Sequence, residues 1–127
     1  STVPYFLMED FTHKRPAAFS LRGTRIEAND WKDVYVKTCE ALVSMDKGTF
    51  MFFVSDKTMQ GRKIAYFSKD PTAMRKAELI SGTYIYINTN LSANSITNII
   101  QKMLHRYGIP LSEYEIYLKA DYTALHE

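Results

Sequence analysis

The sequence is poor in cysteine, glycine and proline, and each scarcity excludes a class of protein. One cysteine, Cys39, among 127 residues rules out an internal disulfide framework and a metal site built from several cysteines. Five glycines and four prolines are too few for long flexible linkers. No apolar run approaches the roughly 18 residues needed to cross a bilayer, and the N-terminus is acidic where a signal peptide would be basic. These absences predict a cytoplasmic protein that does not enter membranes.

The sequence also lacks the residue patterns of common active sites. It contains no Walker loop and no dinucleotide-binding fingerprint. Cys39 falls on the apolar side of a predicted helix, which favours a buried, inert thiol over a nucleophile. His13, His105 and His126 do not stand at metal-ligand spacing with another histidine, a cysteine or a carboxylate. We therefore expect a protein that is not an enzyme and that holds no metal ion and no cofactor.

What the sequence does contain is enough apolar surface for one core. With 46% hydrophobic and 24% charged residues, a chain of this length fits one globular domain. We expect an N-terminal arm at residues 1–16 and a single α+β domain at residues 17–127. The arm carries Phe6, Leu7 and Phe11 and is too apolar for a free tail, so it either packs along its own domain or docks on a partner.

Two apolar stripes with helical spacing predict two main helices. The first stripe follows a cap at Asn29 or Asp30, and we expect that helix to end near Met45. The second stripe begins at Ile96, and Gly108 is well placed to terminate its helix. The stripes repeat at offsets of three and four residues: Trp31, Val34, Tyr35, Thr38, Cys39, Leu42 and Val43 in the first, and Ile96, Ile99, Ile100, Met103, Leu104 and Tyr107 in the second.

Alternating apolar and polar residues predict the strands. Residues 18–28 fit a hairpin that turns at residues 23–24, residues 78–88 fit two strands joined by a turn, and residues 114–118 fit a last strand. The run FMFFV at residues 50–54 fits either a buried strand or a second short helix. The predicted fold is α+β, with a mostly antiparallel sheet of about five to six strands and the two main helices packed on one face.

Charge is distributed unevenly along the chain, although the net charge is only +2. Residues 57–76 hold six basic residues against one acidic residue, whereas residues 108–127 hold four acidic residues against one basic residue. Lysine and arginine bind phosphate, and asparagine and glutamine can bond base edges. The basic stretch and the polar side of the second helix together suggest a nucleic-acid surface. Its predicted residues are Arg62, Lys63, Lys69, Arg75, Lys76, Asn94, Asn98, Gln101 and Lys102.

Two parts of this region have alternative interpretations. In the run YIYI, Tyr84 and Tyr86 should point to one side of a strand, and Ile85 and Ile87 to the other. Exposed tyrosines can stack on bases or pack against a second subunit. The polar side of the second helix fits a solvated face, a nucleic-acid contact or a protein contact. Capping explains the polar groups at residues 92–95 but not the amides beyond the first turn.

A resemblance to a known type of domain rests on three segments: RPAAFSLRGTRIEANDWKDVYVKTCEALVSMD, GRKIAYFSKDP and YIYINTNLSANSITNIIQKMLHRYGI. These segments lie within about residues 15–118. They resemble an accessory domain of bacterial and phage proteins of the restriction and genome-defence kind. The resemblance implies a recognition or regulatory module, and it carries over no catalytic residue.

Two hypotheses of function follow. The leading one is non-catalytic recognition of nucleic acid in a phage, defence or mobile-element setting. The alternative is a protein–protein interaction or homo-oligomerisation module that uses the apolar N-terminal arm and the exposed tyrosines. The two hypotheses differ in the surface that must be accessible, which is the basic residues for the first and the arm for the second.

Overall fold

The strands of the protein form two sheets. A computed structural model describes residues 3–120; residues 1–2 and 121–127, which include His126, lie outside this description. The strands are β1 (Pro16–Leu21), β2 (Thr24–Glu27), β3 (Phe67–Ser68), β4 (Ala77–Leu79), β5 (Tyr86–Asn88) and β6 (Tyr114–Leu118). They pair antiparallel in the orders β2-β1-β6, named the terminal sheet, and β3-β5-β4, named the middle sheet.

This arrangement confirms the α+β class and the expected number of strands, but the expectation of one sheet is wrong. β1 pairs not only with β2 but also with β6, from the opposite end of the chain. The hairpin of β1 and β2 therefore already has a third strand on the β1 side. β2 is the other edge, and the charges of Arg25 and Glu27 disfavour further pairing there. The strands from the middle of the chain therefore pair among themselves.

The terminal sheet begins with a tight hairpin. Arg22 and Gly23 both have positive φ, 52° and 82°, as a two-residue turn of type I′ requires. The turn lies one residue earlier than expected, because Thr24 already belongs to β2. Behind the sheet, Phe19 of β1 stacks on Tyr114 of β6 with ring centroids 5.3 Å apart, and both side chains are buried.

The first main helix, α1 (Trp31–Met45), begins where the sequence predicts. The Asp30 carboxylate accepts a hydrogen bond from the Asp33 amide at 2.8 Å, and the Asp33 carboxylate accepts one from the Asn29 amide at 3.0 Å. This reciprocal capping fixes the first turn. Cys39 is fully buried on the inward face, and burial raises the pKa of its thiol, so the predicted burial of this cysteine is confirmed.

The ambiguous run FMFFV is helical. α2 (Lys47–Met51) is capped by the Asp46 carboxylate, and a turn of 3-10 helix follows at Phe52–Val54. Phe50 and Phe53 are both buried, and their rings contact each other edge-on with centroids 5.3 Å apart. Because these two rings are three residues apart, they share a helical face, whereas a strand would place them on opposite sides.

The second main helix, α3 (Ala93–Arg106), has clear local signals at both ends. The Ser92 hydroxyl accepts a hydrogen bond from the Ser95 amide at 3.1 Å, and Gly108 ends the helix with φ +68°. The helix packs against α1, where the Met103 and Cys39 sulfur atoms lie 3.9 Å apart. No helix within residues 3–120, α3 included, is long and apolar enough to cross a membrane.

The N-terminal arm packs along its own domain. Tyr5 exchanges two backbone hydrogen bonds of 2.8 Å with Ile116, at the edge of β6. Leu7 and Phe11 are buried in the core, and the Phe11 ring contacts Trp31 edge-on with centroids 5.1 Å apart. At these residues the arm therefore packs along its own domain, which is the first of the two alternatives that the sequence left open.

Candidate nucleic-acid interface

One end of the middle sheet gathers basic residues from two separate stretches of the chain. β3 and β4 run antiparallel to β5, so their first residues meet the last residues of β5: Phe67 pairs with Ile87, and Ala77 pairs with Asn88. The loops that precede β3 and β4 therefore both arrive where β5 ends. These loops carry Arg62 and Lys63 on one side and Arg75 and Lys76 on the other, and the four residues are named the basic end.

Direct contacts tie both loops to the segment that follows β5. The Asn88 amide donates a hydrogen bond to the Tyr66 carbonyl at 3.0 Å, and the Thr89 amide donates one to the Lys76 carbonyl at 2.9 Å. A shallow cleft of about 270 Å³ lies on the first side of this junction. It is lined by Gly61, Arg62, Lys63, Ile64, Tyr66, Asn88, Asn90 and Leu91. The structure thus joins two predicted cations to the polar segment between β5 and α3.

The loop that carries Arg62 and Lys63 is held by the side chain of Gln60, which the sequence prediction missed as a contributor to the site. Its amide oxygen accepts from the Tyr66 and Phe67 amides at 2.8 and 3.2 Å, and its amide nitrogen donates to the Phe67 carbonyl at 2.9 Å. Bonding both backbone groups of one strand residue is what a neighbouring strand does. Gln60 therefore closes the edge of β3 and sets the position of the loop.

Gly61 is the second determinant of this loop. A Cβ atom at this position would lie 2.6 Å from the Ile64 carbonyl oxygen and 2.7 Å from the Tyr66 ring. Cβ atoms in folded proteins do not come this close to such neighbours. Only glycine allows the chain to turn this closely against the ring. The sequence signal that could have identified this loop as one with a defined conformation is the adjacent pair Gln60–Gly61 before two cations.

The basic end is electrostatically unbalanced. All four of its side chains are exposed, and no carboxylate within residues 3–120 lies at ion-pair distance from any of them. The acidic residue in the same stretch is Asp70, whose carboxylate accepts hydrogen bonds from the Thr72 hydroxyl and amide at 2.7 and 2.9 Å. These bonds keep the pKa of Asp70 below its ordinary value. Four exposed cations therefore have no carboxylate partner in the part of the chain that the structure describes.

The outer face of the middle sheet adjoins the basic end. It is formed by Ser68, Leu79, Tyr84 and Tyr86, because Ser68 and Leu79 both pair with Tyr86 and the register alternates. Tyr84 is 57% exposed, and the Lys69 ammonium lies 5.1 Å from the centre of its ring. Ile85 and Ile87 are fully buried on the opposite side, so the predicted alternation of YIYI is confirmed.

The amides of α3 are engaged in fastening the arm. The Asn94 side chain accepts from the Phe11 amide at 2.9 Å and donates to the Asp10 carboxylate at 3.0 Å. The Gln101 side chain donates to the Leu7 carbonyl at 3.0 Å. These contacts supply the reason, absent from the sequence pattern, for Asn94 and for Gln101, which both serve the packing of the arm, whereas Asn98 bonds Gln101.

The remaining predicted residues of α3 lie beside other segments. Asn98 is exposed and accepts a hydrogen bond of 3.4 Å from Gln101. The Lys102 ammonium donates to the Thr58 carbonyl at 3.4 Å, in the 3-10 turn Lys57–Met59. Of the described residues that line the cleft beside Arg62, none belongs to α3. The structure thus separates the predicted surface into the basic end, Lys69 with Tyr84, and the α3 residues.

A second concavity, of about 410 Å³, lies along the C-terminal half of α3. Its polar residues include Gln101, Lys102 and Arg106. Arg106 forms an ion pair of 3.1 Å with Asp56, and the other two residues donate to backbone carbonyls. Because Arg106 is paired with Asp56, this concavity holds fewer cations without a carboxylate partner among residues 3–120 than the basic end, and it is the weaker anion site. No cluster of histidine, cysteine and carboxylate groups in the described chain could hold a metal ion.

No protein-family model matches the chain, and no curated protein matches it.

Proposed function

We propose that the protein is a nucleic-acid recognition module that binds the sugar-phosphate backbone at the basic end of the middle sheet. The observation that carries this proposal is the convergence of four exposed cations from two loops on one end of a sheet, where none of the four has a carboxylate partner within residues 3–120. Desolvating such a cluster against a neutral partner would be costly, whereas phosphate groups neutralise it and release counterions. The resemblance to accessory domains of defence proteins adds the expectation that a larger assembly uses this module.

The two loops are suited to hold their cations in place. Gln60 and Gly61 determine the conformation of the first loop, and the hydrogen bond from Thr89 to Lys76 anchors the second. Preformed cation positions lower the entropy cost of binding a charged backbone. With about four phosphate contacts, affinity should fall by about 50- to 150-fold between 50 and 200 mM salt.

The test is charge reversal with a matched control. Fluorescence anisotropy measures binding of labelled single-stranded and duplex oligonucleotides to the wild type and to the double variant Arg62→Glu, Lys63→Glu. The control is Arg22→Glu, Arg25→Glu in the terminal sheet, which changes the net charge equally, although there both cations are paired with carboxylates. We expect the first variant to abolish binding and the control to retain most of it, with thermal melting to verify folding. Absence of binding by the wild type at 50 mM salt, or equal loss in both variants, would contradict the proposal.

A second candidate function is self-association through the arm. Phe6 and Met8 are 39% and 74% exposed on either side of buried Leu7, so the arm presents apolar side chains outward while it is anchored inward. The variant Phe6→Ser, Met8→Ser tests this, since it leaves the core residues Leu7 and Phe11 unchanged. Light scattering should show a dimer that becomes monomeric; a monomeric wild type would exclude this candidate. Deleting the whole arm would confuse the result, because it would also open the core.

A further inference from the structure

We infer that the nucleic acid recognised by this protein is single-stranded, with its bases stacked on Tyr84 and Tyr86. This inference rests on the proposed function and specifies its ligand. It concerns the outer face of the middle sheet, which the cations alone do not explain. Tyr86 is the first residue of β5 and is half-buried, and Tyr84 lies two residues before it and is exposed. Ile85 and Ile87, between and after them, are fully buried.

The composition of this face suits unpaired bases. Tyr84 and Leu79 are 57% and 50% exposed, so this face presents apolar side-chain surface beside its cations. Aromatic rings on an open sheet are platforms for base stacking, which is tolerant of sequence because every base has a π face. Lys69, 5.1 Å from the Tyr84 ring centre, adds a cation at the far end of the face.

The spacing of these residues also fits a single strand of nucleic acid. Tyr84 lies four residues before Asn88, where the basic end is reached, and four residues span at most about 14 Å. About four stacked nucleotides span this length at 3.4 Å per nucleotide. Small single-strand-binding domains contact about 4–16 nucleotides. A strand whose phosphates enter the basic end can therefore place bases on both tyrosines and its far phosphate near Lys69.

A duplex does not fit these residues as well. Duplex bases are already stacked on each other, so their faces are closed to tyrosine rings, and groove reading needs a helix or ribbon that can enter. The polar side of α3 was the candidate for this role, but Asn94 and Gln101 bond the arm instead. Asn98 and Lys102 of α3 stay exposed, but the face that combines exposed aromatic and apolar side chains with cations is that of the middle sheet.

The charge of the face distinguishes nucleic acid from a second copy of this chain. Leu79 and Tyr84 could contact the same residues of another molecule, but each copy would bring the unpaired cations of its basic end and Lys69 to the contact. Like charges brought together across an interface are unfavourable. A polyanion satisfies the apolar residues and the cations at once.

The test compares two tyrosines that each lie beneath a cation. Tyr84 lies beneath Lys69 in the middle sheet, and Tyr117 lies beneath Arg25 in the terminal sheet, where the ring centre is 4.5 Å from the guanidinium carbon. Anisotropy is measured at 50 mM salt with a 20-nucleotide oligothymidine and with a hairpin duplex of the same charge. We expect the wild type to prefer the single strand by about tenfold or more. Tyr84→Ala should weaken single-strand binding by at least about fivefold and leave duplex binding unchanged, while Tyr117→Ala should change neither.

Photocrosslinking gives a second readout that needs no substitution. An oligothymidine with one 5-iodouracil is irradiated in complex with the wild type, and the crosslinked peptide is identified by mass spectrometry. A crosslink at Tyr84 or Tyr86 supports the inference, and a crosslink confined to α3 or to the terminal sheet overturns it.

The outcomes separate the inference from the function on which it rests. If single strand and duplex bind equally and Tyr84→Ala has no effect, the inference falls while the proposed function stands, provided that reversal of Arg62 and Lys63 still abolishes binding. If the wild type binds neither, both fall. If Tyr84→Ala instead turns a dimer into a monomer without any nucleic-acid binding, the face belongs to a second copy and both proposals are wrong.

Discussion

The terminal sheet and the middle sheet have the same construction but differ in whether their cations are paired with carboxylates. Each has three antiparallel strands and a tyrosine beneath a cation. In the terminal sheet, Arg25 forms an ion pair of 3.2 Å with Glu27, and the Tyr117 hydroxyl donates to Glu115 at 3.2 Å. In the middle sheet, Lys69 beside Tyr84 has no ion-pair partner within residues 3–120. A cation over a tyrosine is therefore no mark of a binding site by itself, and what distinguishes the middle sheet is that Lys69 has no ion-pair partner among residues 3–120.

The sheets also differ in how much of the chain they leave in loops. The strands of the terminal sheet have six, four and five residues, whereas those of the middle sheet have two or three. Short strands form few ladder hydrogen bonds, so the middle sheet depends on side chains such as Gln60 to complete its edge. The loops before and between its strands carry the exposed cations. The terminal sheet is thus suited to stability, and the middle sheet to contact with a ligand.

The largest expected effect on stability tests this dependence of the middle sheet on one side chain. Gln60→Ala removes the acceptor of two backbone amides and the donor to two or more carbonyls, and we expect it to destabilise the protein by about 2–4 kcal/mol. Urea unfolding measures the change, and the salt-dependent oligonucleotide binding described above should weaken with it. Gln101→Ala is the control, since its side chain donates to one backbone carbonyl, and we expect a loss of about 1 kcal/mol. Equal effects of the two substitutions would contradict the special role of Gln60.

A smaller effect concerns two buried tyrosines. The Tyr114 hydroxyl of the terminal sheet is bonded to the Thr38 hydroxyl at 2.6 Å, whereas the hydroxyl of Tyr35 in α1 has no partner among the described residues. Tyr114→Phe leaves Thr38 buried without a partner, so we expect it to cost about 1–3 kcal/mol. Tyr35→Phe removes an unsatisfied group, so its effect should be neutral or stabilising. Thermal melting of both variants decides; a loss of stability in Tyr35→Phe would show that its hydroxyl has a partner.

The smallest expected effect is the pH dependence of the stability that the arm contributes to the protein. Hydrogen bonds from the Thr12 hydroxyl and from Asn94 lower the pKa of Asp10 from 3.8 to about 2. A lowered pKa means that this contribution to stability is present above about pH 4 and is lost as the pH falls towards 2. Asp10→Asn should therefore lower the melting temperature at pH 6 and have little effect at pH 2.

Asp70→Asn supplies the comparison for this pH effect in the middle sheet. Asp70 bonds the nearby Thr72, whereas Asp10 bonds Asn94, 84 positions along the chain. We expect the loss in melting temperature at pH 6 to be smaller for Asp70→Asn, because local contacts are retained in part by the unfolded chain. Equal shifts at all pH values would show that neither carboxylate contributes through its charge.

The site was predictable in part. Unbalanced charge along residues 57–76 indicated the cations, and their convergence at one end of the middle sheet agrees with the idea of a common surface. The sequence could not decide whether Asn94 and Gln101 bind nucleic acid. A side-chain amide that bonds the arm and one that binds a ligand occupy the same positions in the helical pattern. Their partners, Phe11 and Leu7, lie more than 80 positions away.

The sequence by itself determined the features that depend on neighbouring residues. The caps at Asp30 and Ser92, the stop at Gly108 and the alternation of YIYI arise from contacts within a few positions, and all are present in the structure. The tertiary structure alone decided the division into two sheets, the burial of the arm, and the bonds from Asn94 and Gln101 of α3 to the arm. These depend on contacts between distant segments, whose strength is set by which partners meet in space and leaves no periodic trace in the chain.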